Sequence, residues 1–251
     1  PRGGAMFVSC EDELPPVGGL RNFYATLTSV PLLYVPLHSL RCATRLDEAR
    51  RRAPVLHRAL LVWLLSLTVL FCTNLGQHAT TGELWPRLHE AGGAVQGLWN
   101  ACQLNALRRH LSYPSVDERL GVAAAALASA VVVCAPLLRP HLHDPICGAV
   151  TALTVPFIVG TMGVLSRRAA SGGDDRAWWL FKRSCIGLVL VGALTGPHGL
   201  ERRMCGFAVL RVAYHALIDH ACIWCLFGGV GQNAVHLVDL AVRPKQRARC
   251  E

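Results

Sequence analysis

The stretch "DHACIWCLFGGVG" (residues 219–231) sets Asp219 beside His220 inside a long apolar run. Imidazole is a metal ligand and proton carrier, and a carboxylate can orient it, so this pair suits metal binding or proton transfer. Four positions on, where a second ligand would share the helix face, stands Trp224. An indole offers only an N–H donor and cannot bind a metal. Three readings follow: a metal site, the remnant of one, or two polar residues packed for other reasons. Cys222 and Cys225 form a CxxC in the same run, but no partner pair accompanies them, which favours packing thiols over a redox pair.

Those residues need a frame. Of the 251 residues, 52% are apolar and mean hydropathy is +0.35, too greasy for an ordinary soluble domain. The apolar residues fall in long runs, which predicts an all-α membrane protein. Seven spans are drawn at roughly 20–40, 55–77, 84–106, 120–138, 145–165, 178–197 and 215–241, in one domain covering 1–251. The third carries Glu90, Gln96, Asn100, Gln103 and Asn105. A helix that polar survives in a membrane only with its polar face turned into a bundle.

Charge tests the topology. With the N-terminus outside (a lumenal or intermembrane side) and the C-terminus inside, the inner segments hold fifteen arginines and lysines and the outer ones five. That is the bias of the positive-inside rule. The net charge of +9 then reads as loop arginine facing an anionic leaflet. It does not read as a nucleic-acid surface, because the basic residues are spread over four loops without interleaved aromatics. The eleven cysteines fall mostly inside spans and do not form a secreted framework; Cys10 and Cys205 are drawn outside, where a disulfide can persist. Pro1 opens the sequence and Met6 follows "PRGGA", so a start elsewhere is expected, as a removed leader, a trimmed chain or an incomplete sequence would each produce.

"CEDELPPVGGLRNFYATLTS" (10–29) resembles the opening of the alkaline ceramidase family, seven-helix hydrolases of the wider superfamily that includes adiponectin-receptor-like proteins. Cys10, Glu11, Asp12, Phe23, Tyr24, Thr26 and Thr28 fall at the family's spacing without a gap. "NLGQHAT" (74–80) resembles its Ser-x-x-x-His motif, "HACIWCLFGGVG" (220–231) its His-Ala-x-x-His motif, and "VRPKQR" its basic tail. The middle of the chain, about 105–195, matches in helix count alone.

The resemblance implies a zinc ion held by three histidines, with a serine and an aspartate beside it. Zinc with an open position lowers bound water to a pKa of about 7, and the hydroxide attacks the lipid amide. Here His78 and His220 stand at two ligand positions and Trp224 at the third; Asn74 replaces the serine, and His89, followed by Glu90, replaces the aspartate. His215 and Asp219 share a helix face and are candidate extra ligands, although His215 and His220 lie about 140° apart on an α-helix. The stretch therefore reads as the remnant of a zinc site. A buried cluster of His78, His89, Asp219, His220 and Asn74, hydrogen-bonded among themselves, is the alternative to any metal. The resemblance also implies an outer calcium site through Glu11, Glu13 and Asn22, where Val8 and Ser9 replace an aspartate and a tryptophan, and an outer disulfide, Cys10–Cys205. A solvated acidic turn is the competing reading of that run.

The expected molecule is a seven-helix bundle with a polar interior near the cytoplasmic or matrix half and a lipid-accepting cavity. No cofactor is expected, with zinc and calcium as the alternatives. The expected partners are membrane lipids and other membrane-protein subunits. The small-residue runs "GVAAAALASA" and "GALTG" allow close helix approach. The function expected is a pseudoenzyme, lipid-binding or accessory, in an organellar membrane: the mitochondrial inner membrane after leader removal, or the ER/Golgi. An active zinc-dependent amidohydrolase on ceramides is the alternative.

Overall fold

The computed structural model describes residues 17–20, 22–80, 84–138, 140–195 and 217–243. Cys10, Cys205, Glu11, Glu13 and His215 lie outside the described residues, as do the side chains of Asp219, His220 and Cys222. Among the described residues the chain is helical throughout, apart from turns and one isolated bridge between Val17 and Leu20. The elements are α1 (Phe23–Ser29), α2 (Tyr34–Thr44), α3 (Asp47–Arg52), α4 (Pro54–Ala79), α5 (Leu84–His110), α6 (Glu118–Leu138), α7 (His143–Ser171) and α8 (Asp175–Thr195), then a π-helical segment (Leu217–Gly228) that runs into α9 (Gly229–Val242).

A helix lies on each segment drawn as a span, with two departures from a simple rod. The first span is broken by a 3₁₀ turn at Val30–Leu33, where Pro31 has no N–H to give to an α-helical ladder. The last begins as a π-helix, closed by i→i+5 bonds, rather than the α-helix used to phase His215 and His220. Among the described residues, three helices are long and apolar enough to cross a membrane: Pro54–Ala79, His143–Ser171 and Trp224–Val242. Pro54 opens the first of these at a position where the missing N–H is no loss.

The helices close into a ring. α4 packs on α5, α5 on α7, α7 on α8, and α8 on the π segment and α9; α2 then joins the last helix back to α4. α6 lies against α5 outside that ring. Glycine sets two of the closest approaches. A Cβ at Gly229 would run into Ser184 and the Leu180 carbonyl of α8, and one at Gly231 would sit 2.7 Å from Ser39 Oγ of α2. The run "GVAAAALASA" contributes less than expected, since on α6 only Ala125 of its alanines is buried and most of the rest face outward.

Polarity inside the ring follows the expectation for α5. Asn100 and Gln103 are 2% and 0% exposed, and Gln96 accepts the indole N–H of buried Trp63 at 3.1 Å. The outer surface is apolar: Leu27, Leu65, Val69, Leu127, Leu153, Val164, Ile186 and Val189, on five different helices, are each about half exposed or more.

The basic segments gather at one end. α3, with Arg50, Arg51 and Arg52, packs against α9. Arg168 near the end of α7 donates to Tyr113 Oη after α5 at 2.6 Å. His236 of α9 bonds Asp174, the residue before α8, at 2.9 Å.

Candidate functional site

Toward the opposite end, a cavity of about 360 Å³ opens between α4, α5 and α7, with Phe227 of the π segment also lining it. Its walls are Leu70, Phe71, Val155, Ile158 and Phe227; its polar groups are Asn74, His89, Glu90, Gln96, Thr151 and Thr154. That volume and that mix match small-molecule sites, which are mostly apolar with a few placed polar groups. Gly93 and Gly97 line it as well, and a Cβ at Gly93 would enter open space.

Each polar wall residue is set by a helix phase. Asn74 lies one turn beyond Leu70 on α4, and its amide donates to Ser29 Oγ of α1 at 3.3 Å. His89, Glu90, Gly93, Gln96 and Gly97 recur every three or four positions on one face of α5. His89 stands within hydrogen-bonding reach of the Leu70 carbonyl, while its Nδ1 is buried without a partner. Glu90 bonds across the bundle: its Oε2 lies 2.9 Å from Nε2 of His143, the first residue of α7. His143 is 3% exposed, and its Nδ1 is 3.9 Å from Cys147 Sγ one turn on.

Of the residues singled out in sequence, Asn74, His89, Glu90 and Gln96 meet here. The cavity thus lies toward the end of the bundle away from the basic segments, while buried Gln103, Ser166 and Asn233 lie nearer to them. The reason is the path of the chain. α4 starts beside the arginines of α3 and carries Asn74 and His78 at its far end.

His78 is half-buried at the end of α4, and its carbonyl accepts the Asn22 N–H at 3.0 Å, which ties the start of α1 to α4. Asn22 is 4% exposed, and Thr26 Oγ1 bonds its carbonyl at 2.7 Å. Trp224 is not among the cavity residues. Its ring stacks on Tyr34 of α2, 5.9 Å between centroids and 8° between planes, and Tyr34 in turn stacks on His38.

The residues present do not fit the zinc set that the motifs imply. One ligand position is an indole packed against another aromatic ring, and the residue in the serine position spends its amide on Ser29. A different group comes together instead: ligand atoms of Glu90, His143 and Asp144 lie within 4.8 Å of one another, with both carboxylates exposed. His143 escaped the sequence reading because it falls two residues before the fifth drawn span, where a histidine reads as loop. The sequence signal was the neighbouring apolar run, whose helix begins earlier than hydropathy suggests.

The described cysteines Cys42, Cys72, Cys102, Cys134, Cys147, Cys185 and Cys225 are free thiols. No protein-family model, curated protein or solved structure matches the chain.

Proposed function

We propose that the chain is a seven-helix membrane protein, N-terminus outside and basic loops inside, which resembles the alkaline ceramidases but holds a lipid rather than cleaving it. The observation that carries this reading is the cavity between α4, α5 and α7, apolar in its walls and polar at Asn74, His89 and Glu90. An acyl chain suits the first and an amide or hydroxyl headgroup the second. The apolar outer surface and the basic end support the membrane placement. The outward face of α6, rich in alanine and valine, suits lipid or a neighbouring subunit. The mismatch at Trp224 and Asn74 supports binding without zinc-driven hydrolysis.

The experiment is lipid extraction from the purified protein, read by mass spectrometry, for the wild type and Gly93→Phe. The phenyl ring enters the cavity, so a co-purifying N-acyl lipid is retained by the wild type and lost in the variant at unchanged helical content. Hydrolysis of an N-acyl sphingosine that chelation abolishes and zinc restores would replace this reading with a zinc-dependent amidohydrolase.

A further inference from the structure

The basic end of the bundle holds a second feature, unrelated to the cavity. Arg108, near the end of α5, lies with its guanidinium 5.7 Å from the Phe157 ring centroid, and Arg168 lies 5.0 Å from that of Tyr113. Arg168 also donates to Tyr113 Oη. Neither arginine meets a carboxylate among the described residues. Their neighbours do: Arg109 pairs with Asp117 at 3.2 Å, Arg50 with Asp47, Arg51 with Glu48 and Arg243 with Asp239. Aromatic faces hold the two guanidinium planes in place while leaving N–H donors and a whole positive charge each.

Beside Arg108 runs a groove of about 170 Å³ lined by Arg108, Tyr113, Gly160, Thr161, Val164 and Leu165, with no carboxylate among its residues; Arg168 does not line it but holds Tyr113, which does. Gly160, Thr161, Val164, Leu165 and Arg168 recur at helical spacing along one stripe of α7. Leu165 and Thr161 form the floor, Val164 is 59% exposed, and a Cβ at Gly160 would meet nothing. The groove thus opens outward, with its basic head at the end where the other arginines collect and its apolar length along the helix. Asp174, which shares a second hollow with Arg168, is bound by His236 at 2.9 and 3.0 Å.

We infer that this groove seats an anionic phospholipid, its phosphate at Arg108, with the charge of Arg168 beside Tyr113, and one acyl chain over Gly160 and Val164. Guanidinium is the side chain best shaped for phosphate oxygens, and basic pockets between helices on the inner face are where lipid phosphates bind. The inference rests on the membrane reading of the chain but not on the cavity.

The test is native mass spectrometry of the detergent-purified full chain with phosphatidylglycerol, phosphatidylcholine or inorganic phosphate added. The wild type should keep phosphatidylglycerol about tenfold over phosphatidylcholine, and the double variant Arg108→Ala/Arg168→Ala should lose about that factor. Arg109→Ala, whose charge is already paired, should bind as the wild type does. Gly160→Leu fills the groove without touching a charge and should also weaken retention, which keeps the proposal open to test if the double variant does not fold. Gly93→Phe should leave phosphatidylglycerol bound, whatever it does to the cavity lipid. Wild-type retention in both the double variant and Gly160→Leu would overturn the proposal. Displacement by millimolar inorganic phosphate would overturn it too, because the site would then be one for free anions.

Discussion

Glu90 and His143, 53 positions apart in sequence, meet at 2.9 Å and join α5 to α7 beside the cavity. The pair is asymmetric, since His143 is 3% exposed and Glu90 46%. Removing the carboxylate strands a buried imidazole, whereas removing the imidazole frees a group that water already reaches. Glu90→Ala should therefore destabilise the protein by about 1–3 kcal/mol, the cost of an unsatisfied buried polar group. Glu90→Gln keeps an acceptor oxygen and should cost clearly less. Thermal unfolding in detergent compares the two; equal losses would show that the acceptor is not what His143 needs.

Trp224 gives a sharper result for the zinc question. Because its ring stacks on Tyr34 rather than lining the cavity, Trp224→His should not create a metal site. Zinc per chain, measured by plasma mass spectrometry after dialysis, should match the wild type. Uptake of one additional zinc would show that residue 224 reaches the same point as His78 and His220.

Asp174 supplies a pH dependence at the basic end. Burial alone would raise its carboxyl; the His236 ring and the N–H groups of Ala177 and Arg176 outweigh that and hold it below the usual carboxylate range. A lowered folded-state value means that its stabilisation is complete above the unfolded value of about 3.9 and disappears as pH falls through the folded one. Asp174→Asn still caps α8 but lacks the charge. The wild type should unfold at a higher temperature than the variant at pH 7, and the gap should shrink progressively as pH falls below about 4. A constant gap would assign the effect to packing.

Helix positions were readable from the sequence because long apolar runs fix where a helix must lie, and the polar residues of α5 announced that the helix is enclosed. Asn100 and Gln103 are buried for that reason. Hydropathy could not show which residues meet across helices. Periodicity gives the phase of a residue on its own helix, not the height at which a neighbour arrives, so the Glu90–His143 contact was invisible. The same limit applies to Trp224. Its place four after His220 says that the two share a face of an α-helix, yet the segment is π-helical and Tyr34 of α2 takes the indole. Asn74 and His89 were found together because both lie near one end of adjacent antiparallel helices, where a short connection fixes their height.

The π-helical segment bears on how this chain tolerates change in length. A stretch closed by i→i+5 bonds carries more residues per turn than its α-helical neighbour, and directly after it come Gly229 and Gly231, each fitted against a serine of another helix. Deleting one residue between 217 and 228 would let the stretch tighten and rotate everything downstream, turning both glycines off their seats and side chains into them. Within those twelve residues, then, the number of residues constrains the end of the protein more tightly than their identity does.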